Sequence, residues 1–393
     1  MKWILTLIII LFSTYSLNAE YLFKIDVKSD QNIIFIDIET PVIEESPILG
    51  GIGGIGNPSP TIGYMNCVDN PPITREELET MINNGEDVRG VCTSQITDMS
   101  YLFANNHTFN QPIISWDVSN VTNMEGMFLN ASSFNQSIRY WNVSKVTNFS
   151  QMFKNTIFNQ RLDLWNLNRA EFINMSSMFE ESSFNQDLST WYTLMVTDMS
   201  RMFAFSNFNQ DINNWNVSNT QDMSYMFSYS NFNQPLDQWN TLNVQNMSYM
   251  FSNNIAFNQN INTWNISNVN NLEGMFMSAT SFNQPLYGWN TSNVNNLSHT
   301  FSGASSFDNE INSWDVSNVT NLSRTFYNAT SFNKPLDFWN TSSVGDFSFT
   351  FYDATSFNQN ISSWNTSSSS FIPASFATNS PIDGTSNMPL GFQ

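Results

Sequence analysis

Eleven of the twelve tryptophans, Trp116, Trp141, Trp165, Trp191, Trp215, Trp239, Trp264, Trp289, Trp314, Trp339 and Trp364, recur at intervals of 24 to 26 residues. No other feature constrains the fold as strongly. A unit this short cannot bury an apolar face alone, so it must stack on its neighbours and share one continuous core. Function must then lie on the surface of the stack.

Aligned on the tryptophans, each unit reads F-N-Q-x-I/L-x-x-W-N/D-V/T-S-N-V-T-N/D-M/L-x-x-M/T-F-x-x-A-x-S. A phenylalanine stands seven residues before each tryptophan, as at Phe109, Phe208 and Phe357, and a second follows by twelve, as at Phe128, Phe227 and Phe301. Phe179 is the exception, because two extra residues follow Trp165. Length variation is confined to that point and to the stretch before F-N-Q, which marks both as loops.

Within a unit, Met124, Met127, Phe128 and Ala131 place apolar residues at i, i+3, i+4 and i+7, the period of a short amphipathic helix or 3₁₀ turn. Asp or Asn precedes it in eleven copies, Asp98, Asn123, Asn148, Asn174, Asp198, Asp222, Asn246, Asn271, Asn296, Asn321 and Asp346, which reads as N-cap chemistry. The alternation of Phe208, Gln210 and Ile212 suggests a short strand, although Pro112, Pro235, Pro285 and Pro335 cannot donate to a ladder; Val118 to Thr122 is the alternative extended stretch. The fold class expected is therefore a repeat solenoid of 11 to 12 α/β coils, each a short strand plus a short helix or 3₁₀ turn.

The recurrent Asn and Gln of F-N-Q admit two readings, an amide ladder that satisfies backbone groups from coil to coil, or an outward array for a ligand. Their return in nearly every unit favours the ladder. The tryptophans are read as core layers, since a thin stack needs their apolar bulk, with a carbohydrate platform as the alternative.

At the N-terminus, Lys2, the apolar run from Trp3 to Phe12, and Leu17-Asn18-Ala19 have the layout of a secretory signal peptide, although a buried helix has a similar pattern. Residues 20–60 read as a linker, with apolar Ile33 to Ile38 and a glycine-rich stretch from Gly50 to Gly56. Residues 61–90 form a capping segment in which Thr74 and Glu77 make a capping box for a helix through Leu78, Met81 and Ile82, stopped at Gly85. The repeats span 91–380, and 381–393 is a tail. Cys67 and Cys92 are the two cysteines, and export favours a disulfide that pins the capping helix to the first coil over two free thiols.

With this N-terminus, I-T-R-E-E-L at residues 73–78, and the F-N-Q…W-N/D-V-S-N-V-T-N-M unit, the chain resembles the BspA-like leucine-rich-repeat surface proteins, in their branch with 25-residue repeats. The likeness covers about residues 73–376. It implies an atypical leucine-rich-repeat solenoid, a secreted or extracellular surface location and, as in some members, adhesion to host or matrix proteins. The leucines of ordinary leucine-rich repeats are here largely Phe, Met and Trp.

A net charge of −20 with few, scattered lysines and arginines argues against nucleic acid. No apolar stretch beyond the N-terminal run is long enough to span a membrane. No phosphate loop, nucleophile elbow, metal-ligand spacing or cofactor motif interrupts the repeat. The expectation is a non-enzymatic secreted or surface protein, without metal or cofactor, that binds a protein or glycan; a structural coat or envelope glycoprotein is the alternative. The variable position after F-N-Q, with Arg161, Asp187, Asp211 and Glu310, is the candidate partner surface. Among the N-x-S/T sequences, Asn142, Asn216, Asn265, Asn290 and Asn340, each just after a tryptophan, are candidate glycosylation sites.

Overall fold

The computed structural model describes residues 25–30, 33–38, 67, 70–167, 171–370 and 373–393. The signal-peptide reading falls on residues outside that set. The chain divides into two compact units, Met1–Asn57 and Pro58–Gln393. In the first, β1 (Ile25–Asp30) pairs antiparallel with β2 (Ile33–Ile38), so part of the stretch read as a linker forms a hairpin.

The second unit opens with α1 (Arg75–Asn83). Its N-cap is the expected box: the Thr74 hydroxyl accepts from the Glu77 N–H while the Glu77 carboxylate accepts from the Thr74 N–H. Asn84 and the left-handed Gly85 end the helix. Leu78 and Ile82 are buried, and Arg75 reaches the carbonyls of Asp98 and Ser100 in the first coil. The Cys67–Cys92 disulfide is formed. Beside it, the Ile73 N–H donates to the Cys92 carbonyl, so the capping segment is both bonded and cross-linked to the array.

Successive coils meet through parallel contacts one residue wide, running from Asp98 through Asn123 and Asn148 to Asn321 and Asp346. They widen only at β3 (Ile173–Asn174) and β4 (Val196–Asp198). Neither expected strand exists at full length. The ladder falls at the Asp/Asn position just past Val118 to Thr122, and the F-N-Q segment has no backbone ladder.

Of the short helix or 3₁₀ turn expected after each Asp or Asn, the α-helix is absent, which corrects the α/β description of the unit, and single three-residue turns stand in its place. Alternate N–H groups, those of Met99, Tyr101, Phe103 and Asn105, donate to the next coil, while Leu102, Ala104 and Asn106 donate three residues back within their own. A helix would spend every donor internally and leave the coils unjoined. The turn recurs through left-handed residues at the third and seventh positions after the Asp/Asn, with φ of 53–60° at non-glycine positions from Tyr101 to Asp353. Bulky residues there cost about 1 kcal/mol each, offset by the bonds between coils. The apolar period was thus a true mark of burial, with Met124, Met127, Phe128 and Ala131 all at 0% exposure, and a false mark of helix. The Asp/Asn side chains do cap, but they cap turns: each of the eleven accepts from the N–H two residues on, at 2.7–3.1 Å.

Three aromatic columns fill the core. All eleven repeat tryptophans are 1–4% exposed, and each indole N–H donates to a Val, Ile or Leu carbonyl of the preceding coil at 2.9–3.1 Å. Burial and the polar edge are satisfied together. The two phenylalanines stack face to face inside a coil, as Phe128 on Phe134 at 3.9 Å, and along the array, as Phe128 on Phe153 at 5.6 Å. At the far end Phe376 turns edge-on to Phe351, at 82°, and Phe392 covers it. The segment read as a tail closes this end, with Ile382 at 0% and Met388 at 4% exposure.

Candidate binding surface

Coil by coil, the repeated polar groups are used up by the array. The Oδ1 of each F-N-Q asparagine accepts the N–H of its counterpart in the next coil at 2.9–3.0 Å, through ten rungs from Asn110 to Asn358. In most coils it also accepts the Nε2 of the next coil's glutamine, as Gln210 on Asn185 at 3.0 Å. Asp308 takes the asparagine's place in one rung, and Lys334 stands in for the glutamine at 3.0 Å from its carboxylate. The ladder reading of these amides holds. A side-chain ladder here also explains why proline is tolerated one residue past the glutamine: no backbone rung exists for it to break.

The variable column holds Pro112, Ser137, Arg161, Asp187, Asp211, Pro235, Asn260, Pro285, Glu310, Pro335 and Asn360. Arg161, Asp187, Asp211 and Glu310 are all exposed. Arg161, Asp187 and Asp211 lie on adjacent coils, whereas Pro235, Asn260 and Pro285 separate Asp211 from Glu310. Arg161 pairs with Asp163 at 2.7 Å. Asp163 is also gripped by Nε and Nη2 of Arg139 at 2.7 Å each, which holds its carboxyl below the ordinary value. Asp187 and Asp211 cap the N–H groups of Ser189 and Asn213 and line one groove with Gln210 and Gln238.

Asn142, Asn216, Asn265, Asn290 and Asn340 are exposed. Each Oδ1 accepts from the N–H two residues on, an arrangement that holds the side chain at a turn without using its nitrogen. Asn148 and Asn296, in contrast, donate through Nδ2 to Glu125 and Glu273.

One surface escaped the sequence reading. On the outer side of the parallel contacts, a groove is lined by Phe172, Asn219, Gln221, Asn243, Gln245, Asn268 and Asn270. Its signal was present: the consensus threonine, kept at Thr122, Thr147, Thr197 and Thr320, becomes Gln221, Gln245, Asn270 and Asn295 in four successive units. Among the described residues no group of three or more His, Cys, Asp or Glu is placed to hold a metal, and no helix is long and apolar enough to cross a membrane.

Residues 76–183, 168–236, 228–299 and 285–386 each match the family described as Mycoplasma protein of unknown function, DUF285. The chain belongs to this family. Four tandem matches over the stacked coils make the DUF285 segment a repeat array, in agreement with the tryptophan period. No curated protein and no solved structure matches the chain.

Proposed function

We propose that this chain is a non-enzymatic, exported binding protein, built as an atypical leucine-rich-repeat-like solenoid and engaging a protein or glycan of a cell surface or matrix along several coils. One observation carries the reading. The indole N–H groups, the F-N-Q asparagine oxygens and the Asp/Asn caps that recur along the repeats are spent inside the array, whereas other outward positions differ from coil to coil. Surface identity is thus free to vary without disturbing the stack, which is how repeat proteins accommodate ligands. The N-terminal layout, the Cys67–Cys92 bond and the resemblance to BspA-like surface proteins support export and an extracellular site.

The test is secretion followed by binding. Full-length chain expressed in a secreting host is expected to appear in the medium beginning at Glu20 and to bind a cell-surface extract saturably. A chain that stays inside the cell with residues 1–19 still attached, or binding that never saturates, removes the proposal.

A further inference from the structure

The groove at Phe172 differs from the F-N-Q column. In the F-N-Q column each asparagine oxygen is occupied by the next coil. In the groove, Asn219, Asn243 and Asn268 spend only their nitrogens, donating through Nδ2 to the carbonyls of Leu194, Ser218 and Leu242 at 2.7–2.9 Å. That bond fixes the plane of each carboxamide and leaves its oxygen without an intramolecular partner. Gln221, Gln245 and Asn270, two positions further along each coil, are exposed, and neither end of their carboxamides is bonded. Thr220, Val244 and Val269 lie between the two columns at 0% exposure, so the segment alternates outward, inward, outward.

The feature has ends. Thr122, Thr147, Thr197 and Thr320 fill the same column in other coils, and each hydroxyl donates to a carbonyl of the coil before. Among the described residues, only the four units from Gln221 to Asn295 carry an unbonded carboxamide there. On the N-terminal side the two extra residues after Trp165 are accompanied by a register shift between Ile173 and Asn174, and Phe172 lies 60% exposed beside it.

We infer that this groove binds an extended neutral polysaccharide, its hydroxyls on the two carboxamide columns and the apolar face of a terminal sugar on Phe172. The inference rests on the binding role proposed above but assigns it to a different face from the Arg161 to Glu310 column. Carboxamides both donate and accept, as sugar hydroxyls do. Among the described residues that line it none is charged, which disfavours an anionic or cationic polymer. Strand addition by a peptide has no purchase here, because the Gln221, Gln245 and Asn270 N–H groups already donate to the preceding coils. Coils joined at about 4.8 Å present the same pair of amides repeatedly, suiting a polymer that pools weak contacts. The bond that fixes each asparagine lowers the ordering cost of binding.

Full-length protein is to be titrated by calorimetry with soluble neutral glucan, mannan and galactan, and in parallel with a sulfated polysaccharide and an unfolded polypeptide. Saturable binding to at least one neutral polymer, insensitive to salt, is expected. The Gln221→Ala/Gln245→Ala/Asn270→Ala triple, which alters no N-x-S/T sequence, is expected to weaken it more than about tenfold with an unchanged thermal midpoint. Phe172→Ala is expected to weaken it separately. Asp187→Lys/Asp211→Lys, on the other column, is expected to leave it intact. Absence of binding to every neutral polymer, binding confined to the sulfated polymer or the polypeptide, or a triple variant that binds normally overturns the inference. If those results come with saturable binding to a cell-surface extract, the general binding role stands and only this site falls; without it, both fall.

Discussion

Two faces of the same coils carry nearly the same side chains and mean opposite things. Along the F-N-Q face, Asn185, Asn209 and Asn233 hold the N–H and glutamine of the following coil, so their amides are structural rungs. Along the groove, Asn219, Asn243 and Asn268 keep a free oxygen beside the unbonded Gln221 and Gln245. Residue type does not separate the two faces, and exposure does so only in part, since Asn258 and Asn283 on the rung face are exposed like Asn243 and Asn268 in the groove. The partner does: an amide answered by its own copy one coil away belongs to the fold, and one that is not is available to a ligand.

The core both faces rest on is the first place to break the comparison. Trp264→Ala empties a site 2% exposed and takes the indole N–H from the Leu236 carbonyl, which keeps only the Trp239 N–H, with an expected loss of about 3–5 kcal/mol. Because each coil touches only its neighbours, hydrogen exchange should show the loss centred on the coils of Trp239 and Trp289. Uniform weakening from Trp116 to Trp364 would mean that the array unfolds as one unit.

Next in size is the rung. Asn209→Ala leaves the Asn233 N–H unpaired and is expected to cost about 1–3 kcal/mol in denaturant unfolding. Asn209→Asp keeps the acceptor, as Asp308 does naturally, and should stay within about 0.5 kcal/mol. Equal losses from both would show that the carboxamide nitrogen, not the oxygen, does the holding.

What the sequence disclosed follows from the same distinction. The tryptophan period, the capping box at Thr74 and the F-N-Q rungs were legible because each needs the same residue in copy after copy, or a local signature with one physical meaning. The choice between helix and turn stayed open because apolar spacing reports which side chains are buried, not where their N–H groups go; Met124 to Ala131 satisfies the spacing with three-residue turns and left-handed residues at Gly126 and Asn130. At Gly126 and Gly274 the tyrosine ring of the preceding coil, Tyr101 or Tyr249, also occupies the space a Cβ would need. That contact joins positions about 25 residues apart and has no local signal. The groove stayed hidden for the converse reason: a binding surface here is a departure from the repeat, and an alignment built on recurrence averages departures away.

The smallest expected effect concerns the Arg139–Asp163 ion pair, which lies beside Arg161 of the variable column. Arg139 holds the Asp163 carboxyl below its ordinary value, so the stability it contributes is present above the unfolded-state value of about 4 and is lost as pH falls through the lower folded one. Thermal midpoints from about pH 5 down to about pH 2 should therefore fall less steeply in Arg139→Gln than in the parent chain. Parallel profiles would make this pair irrelevant to the fold, like most exposed ion pairs.

The central claim, that one amide face is spent on the stack while the other is free, is tested most directly by a pair of triple variants measured side by side. Asn185→Ala/Asn209→Ala/Asn233→Ala and Gln221→Ala/Gln245→Ala/Asn270→Ala remove three carboxamides each from neighbouring coils. Chemical unfolding and neutral-polysaccharide titration of both, at a temperature where both remain folded, should give crossed results. The first triple loses several kcal/mol, about 1–3 per rung, and keeps its affinity; the second keeps its stability within about 0.5 kcal/mol per site and loses binding. Equal loss of stability in the two variants, or binding lost from the rung face and retained by the groove, would contradict the account.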